Sequence, residues 1–256
     1  MARKIVVTSG KGGVGKTTLS VQLSAQLAAK GQRVVLCDAD FGLNNVDVEA
    51  GVEHLVGYDI VDVIEGRCRA KQALVKHPKY PNLHVLTSSH AAPERYLSPQ
   101  AVKVVLESIS PQFDYIIIDC PAGIDDGFHR AVATADEAIV VTTPTLPSLR
   151  DADKVITMLK SYQLSSLTVV INRVQGELLA TGDCLTPKEI ANLLKVPILG
   201  LIPDEPSIGN GDLGKIHPAI QTLASNLTTG KVKMYDVTKK YVGFFGSIRR
   251  VLKKVL

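Results

Sequence analysis

The stretch Gly10-Lys11-Gly12-Gly13-Val14-Gly15-Lys16-Thr17 decides the reading of this chain. It fits G-x-x-x-x-G-K-[ST] directly after the β-branched run Ile5 to Thr8 and ahead of Thr17 to Ala29, a segment with helical spacing. A strand, a glycine-rich turn and a helix in that order gather backbone N–H groups at a helix N-terminus, where phosphate is held. In such a loop Lys16 neutralises β- and γ-phosphate charge and the Thr17 hydroxyl ligates Mg²⁺. Gly10 to Thr18 is therefore the expected nucleotide-binding segment, with ATP and Mg²⁺ as its ligands.

Working outward, short apolar runs recur at Val34 to Cys37, Leu83 to Leu86, Tyr115 to Ile118, Ala138 to Thr142, Thr168 to Ile171 and Ile198 to Ile202. They read as buried strands. Pro99 to Ile109, Leu149 to Tyr162 and Pro187 to Leu194 carry helical spacing between them. The alternation predicts an α/β P-loop fold: a doubly wound, mainly parallel sheet of about seven or eight strands with helices on both faces. Strand C-termini then share one edge, and polar motifs follow several strands there: SGKGG, DAD and DCPAG.

Two of those motifs carry further chemistry. Tyr115-Ile116-Ile117-Ile118-Asp119 is an apolar run closed by an acid, so Asp119 is expected to hold Mg²⁺, through water. Asp38 and Asp40 sit past the Val34 to Cys37 strand on the same edge. A carboxylate there can orient the attacking water, and Asp38 is a further candidate for the metal.

Composition bounds the rest. Of 256 residues, 45% are hydrophobic and 21% charged, and no apolar run approaches the ~20 residues that cross a bilayer. The N-terminus enters its first strand without a leader-like apolar region, so a cytoplasmic location is expected. Cys37, Cys68, Cys120 and Cys184 lack CxxC spacing, which predicts reduced, mostly buried thiols. The net charge of +4 conceals an asymmetry: residues 231–256 hold eight Lys/Arg against the single acid Asp236, whereas residues 1–230 hold 21 basic and 24 acidic residues. A basic tail on an acidic body points to a polyanionic partner.

The tail, YVGFFGSIRRVLKKVL from Tyr241, places Phe244, Phe245, Ile248, Val251, Leu252, Val255 and Leu256 on one helical face. Arg249, Arg250, Lys253 and Lys254 occupy the opposite face. Its 16 residues span ~24 Å as a helix, and its interior charges are costly in hydrocarbon, so it is expected to lie in an anionic lipid interface rather than cross it. The expected division is an ATPase domain at 1–227, a linker at 228–240 and the amphipathic helix at 241–256.

KGGVGKTT, with its early lysine, resembles the deviant Walker A loop of the ParA/MinD family of P-loop ATPases. The resemblance to the septum-site branch of that family runs over nearly the whole chain, through DADFGLNNVDVEAGVE, DCPAGID, SLRDADK, INRVQGE with TGDCLT, LGLIPDE and the tail. It implies a homodimer that sandwiches ATP, with Lys11 acting across the dimer on the partner's phosphates. It also makes Asp40 the first choice, before Asp38, for orienting the water, Gly123 a γ-phosphate sensor, and Asn172, Pro203 and Asp204 adenine contacts. Asp38 to Asn45 and Asp119 to Ile124 become the ATP-sensitive loops. The function implied is control of division-site placement by recruiting a septation inhibitor (MinC) to the cytoplasmic face of the membrane, with a regulator (MinE) stimulating hydrolysis where that partner exists. Specific nucleic acid is not expected. A flagellar-number regulator and a ParA-type partition ATPase are the alternatives. SIGNGDLGKIHP, after Asp204, departs from the family pattern.

Overall fold

Strands buried on both faces need apolar side chains at consecutive positions, and this chain supplies them. In the computed structural model, which describes residues 1–41, 45–88, 98–209, 213–243 and 246, every residue of Tyr115–Asp119 and of Val34–Asp38 is buried. These are β5 and β2 of an eight-stranded sheet completed by β1 (Arg3–Thr8), β3 (Leu74–Lys76), β4 (Leu83–Leu86), β6 (Glu137–Thr142), β7 (Ser166–Val174) and β8 (Ile198–Pro203). The order is β3-β4-β2-β5-β1-β6-β7-β8, and all neighbours are parallel except β3, which runs antiparallel to β4. The expected doubly wound sheet is therefore present, with one added strand that its three residues had concealed.

The helices in chain order are α1 (Lys16–Ala29), α2 (Val46–Glu49), α3 (Ile60–Ile64), α4 (Pro99–Ile109), α5 (Asp126–Val132), α6 (Leu146–Leu159), α7 (Gly176–Thr181), α8 (Pro187–Leu194), α9 (Pro206–Gly209) and α10 (Pro218–Thr229). Alternate strand residues face two separate cores. Ile5 and Val7 of β1 meet α1 and α10, whereas Val6 faces the core shared by α3, α4, α5, α6 and α8. α4 buries Val102, Val105, Leu106 and Ile109 at helical spacing, and Ser98 caps its first turn by accepting from Ala101 N. α1 differs, since Leu19, Val21, Leu23, Ala25 and Leu27 are all buried around its circumference. Ser20, Gln22 and Ser24 are buried there too, each hydrogen-bonded, as a helix enclosed between the sheet and α10 requires.

β1 sits between β5 and β6, so the chain leaves it in one direction toward β2 and later fills the other side with β6, β7 and β8. That reversal opens a crevice beyond the C-terminal end of β1, and the phosphate loop fills it. On the β8 side, β7 is irregular: the register shifts between Ile171 and Val174, where Arg173 adopts φ 54°.

The stretch expected to act as a linker begins inside α10 and then lies along the body. Val237 is buried at 5% exposure, and Asn226 exchanges hydrogen bonds with the Lys233 backbone at 2.9 Å in both directions. All four cysteines are unbridged, with Cys37 and Cys120 buried and Cys68 and Cys184 half-buried. Among the described residues no helix is long and apolar enough to cross a membrane. The predicted lipid-facing residues Phe244, Phe245, Ile248, Val251, Leu252, Val255 and Leu256, and the basic residues Arg249, Arg250, Lys253 and Lys254, lie outside the described residues.

Candidate functional site

The phosphate loop follows β1 and opens α1. Gly15, the N-terminal flank of α1, takes the left-handed conformation (φ 88°), and a side chain there would collide with the Asn172 amide. That amide donates to Val14 O at 2.7 Å, so a residue at the end of β7 pins the loop from behind. Gly10 packs against the Asp151 backbone of α6, Val14 is buried, and the Ser9 hydroxyl donates to Lys11 O at 3.0 Å. Gly12, Gly13, Gly15, Lys16, Thr17 and Thr18 are left lining a cavity of about 580 Å³.

Asp119, at the end of β5, is 1% exposed and anchors the floor of the site. Lys16 Nζ and Thr17 Oγ1 donate to its Oδ2 at 2.9 and 2.8 Å, and Ser20 Oγ donates to its Oδ1 at 2.8 Å. Lys16 and Ser20, one turn apart on the same face of α1, converge on this carboxylate, and Thr17 joins them from the first turn of the helix. Burial opposes the charge on Lys16, but Asp119 outweighs it and holds the ammonium above the ordinary lysine range. Ser20 carries no motif signature; only its place one turn after Lys16 could have revealed it.

Asp38 pairs with Asp119 across β2 and β5 and is equally buried. Burial, then the neighbouring Asp119, pushes its carboxyl up to about 7. Its Oδ1 accepts from the Asp40 backbone N–H at 2.9 Å, and Asp40, not Asp38, lines the cavity. The two acids are thus separated by position: Asp38 shapes the loop and Asp40 faces the ligand space. Residues 42–44 of this loop lie outside the described residues. Phe41 receives the guanidinium of buried Arg130 at 5.3 Å from its ring centroid, which ties the Asp40 loop to α5.

Gly123 adopts φ 98° and its N–H donates to Ser9 O at 3.0 Å. Pro121, Ala122, Asp125 and Gly127 also line the cavity, as does Arg173. Arg173 is a residue that sequence reading passed over beside Asn172. Pro203 is buried at the end of β8, and exposed Asp204 donates its N–H to Val174 O at 3.0 Å. Lys11 is exposed at the loop and is absent from the cavity lining. A larger adjoining hollow of about 850 Å³ touches Thr17, Thr18, Glu49 and His77 but neither Lys16 nor Asp40, both of which line the smaller cavity.

The donor set fits a Mg-nucleotide. Thr17 Oγ1 and Asp119 Oδ2 are hard oxygen ligands side by side, and the buried lysine and the glycine cradle suit phosphate. Among the described residues no group of three or more His, Cys, Asp or Glu forms a competing metal cluster.

Comparison with known proteins agrees with this chemistry. A family model described as an AAA domain matches residues 2–171. The septum site-determining protein MinD of Synechocystis is 44% identical over 263 aligned residues, covering 98% of this chain and 99% of the relative. Among solved structures, the MinC:MinD cell division complex of Aquifex aeolicus superposes with a TM-score of 0.83 at 36% identity, covering 91% of this chain and 98% of that one. MinD of Pyrococcus horikoshii, complexed with Mg-ADP, superposes with a TM-score of 0.78 at 30% identity, covering 90% and 97% of the two chains.

Proposed function

The chain belongs to the MinD family of septum site-determining ATPases, and from that premise we propose that it is an ATP-driven dimerising switch that regulates division-site placement from the cytoplasmic face of the membrane. The observation that carries the reading is the Asp119 carboxylate gathered by Lys16, Thr17 and Ser20 beneath the glycine cradle.

Thr17, and Asp119 through water, would hold Mg²⁺, which would supply charge neutralisation at the phosphate oxygens. Lys16 neutralises β/γ charge, and the loop N–H groups orient the phosphates for in-line attack. Phosphoryl transfer passes through a loose transition state, so positioning and charge account for most of the catalysis. Asp40 orients the attacking water at the cavity wall, while Asp38 holds the Asp40 backbone. Lys11, exposed and outside its own cavity, is assigned to the phosphates of a second copy in the ATP-bound homodimer.

The basic amphipathic tail is the membrane element. A single such tail binds reversibly, whereas two held together gain avidity of ~10² to 10⁴. Hydrolysis, by separating the copies, then shortens residence on the membrane. The solved complex of a relative with MinC supports a septation inhibitor as the protein partner, and the regulator MinE is carried by the family resemblance alone.

The test is ATP turnover and sedimentation with anionic liposomes, using the full chain and a chain ending at Gly243. The full chain is expected to sediment with ATP and not with ADP, and the shortened chain to stay in solution while still hydrolysing ATP. Equal sedimentation of the two chains would sink the membrane reading, and absence of turnover would sink the switch.

A further inference from the structure

The root of the tail is gripped beside the nucleotide site. Val237 is buried in the core that β1 shares with α3, α4, α5, α6 and α8, and α7 begins with Gly176, where any side chain would strike Val237 O and the Tyr241 ring. Lys240 Nζ makes a two-pronged contact with Glu205, at 2.8 Å to Oε1 and 2.9 Å to Oε2. Glu205 Oε2 also lies 3.5 Å from His217 Nε2, at the start of α10. Gly176 follows the β7 end that carries Asn172 and Arg173, and Glu205 follows the β8 end that carries Pro203 and Asp204. These two strand ends are joined by the Asp204 N–H to Val174 O bond. A separate grip, Asn226 on Lys233, lies on α10, away from both loops.

We propose that Glu205, through Lys240, clamps the tail root onto the two loops flanking the nucleotide base, so that nucleotide occupancy sets how firmly residues 238–243 are held. The proposal deepens the switch reading and rests on Asn172 and Asp204 flanking the base. Glu205 is adjacent in sequence to Asp204, and Gly176 lies within four residues of Asn172. A ligand that steadies either strand end steadies one jaw of the clamp. The Lys233 grip meets β8 only at Leu199, at the opposite end of the strand, where Asn226 Nδ2 donates to the Leu199 carbonyl at 2.8 Å, and it serves as an internal reference. Glu205 and Lys240 act as positioning residues, outside the phosphate cavity.

Hydrogen–deuterium exchange on the full chain, with and without Mg-ADP, tests this. Saturating Mg-ADP is expected to slow exchange several-fold at residues 10–18 and at 238–243, with little change near Lys233. In Lys240→Gln the protection at 10–18 and the Mg-ADP affinity are expected to persist while the effect at 238–243 disappears, and Lys240→Arg is expected to restore it. Protection at 10–18 without any change at 238–243 in the unmodified chain overturns the coupling and leaves the nucleotide reading intact. Protection at neither segment overturns both. An unaltered nucleotide effect at 238–243 in Lys240→Gln removes Glu205 and Lys240 from the coupling.

Discussion

The Gly123 amide donates to the Ser9 carbonyl across 3.0 Å, so the loop after β5 is latched to the entrance of the phosphate loop. Any contact of that N–H with a γ-phosphate has to exchange this bond, which makes the latch a natural reporter of the third phosphate. At φ 98° an L-residue is strained by about 1–2 kcal/mol. Gly123→Ala is therefore expected to keep Mg-ADP binding within about threefold while ATP turnover falls roughly tenfold, the rate equivalent of ~1.4 kcal/mol. Calorimetric titration and steady-state turnover measure the two. Equal losses for ADP and ATP would remove Gly123 from γ-phosphate sensing.

Lys16 and Ser20 both hold Asp119, yet they are expected to differ in effect. Lys16→Ala leaves Asp119 buried beside Asp38 with its nearest cation gone, a change that costs about 3–5 kcal/mol when a buried pair is broken. Ser20→Ala removes one neutral donor, worth about 1 kcal/mol. Urea unfolding without nucleotide is expected to rank them in that order, with nucleotide binding abolished only in Lys16→Ala. Near-identical stabilities for the two variants would show that the lysine charge is compensated elsewhere.

Lys11 is exposed, so Lys11→Ala is expected to leave unfolding stability within ~0.5 kcal/mol. Its effect belongs to association. Analytical ultracentrifugation is expected to show an ATP-dependent dimer for the unmodified chain and a monomer for the variant at equal ATP occupancy. A variant that dimerises normally and turns over ATP at the normal rate rules out the action in trans.

Burial holds His77, His84 and His217 below the ordinary histidine value of ~6.5. The folded chain keeps them neutral where the unfolded chain takes up protons, so their stabilising contribution is present above ~6.5 and is lost as pH falls through that value toward their folded pKa. Asp38 works in the opposite sense, because a carboxyl raised to about 7 favours the folded state as pH falls. The comparison that isolates a histidine is His84→Phe against the unmodified chain. Between pH ~7.5 and ~5.5 the variant's melting temperature is expected to fall less. A parallel fall in both proteins would show that His84 is protonated without penalty.

Much of this architecture is visible in the order of residues. Four consecutive apolar positions before Asp119 can only suit a strand covered on both faces, and all seven expected strands are present. The lysine and threonine of the loop needed no fold to be recognised. What stayed hidden depends on partners distant in sequence. β3 is three residues long and exists because Val75 pairs with Val85. Ser20 is an ordinary helix residue until Asp119, 99 positions away, arrives opposite it. Asn172 reads as a base contact by resemblance, and the fold adds that its amide holds the phosphate loop; the grip of Glu205 on Lys240 docks a stretch that reads as a spacer.

The Asn172 bond to Val14 also bears on affinity. A loop pinned at Val14 has less conformational entropy left to lose when phosphate arrives. That saving is common to ATP and ADP, so it tightens both alike and leaves their discrimination to groups that meet the third phosphate.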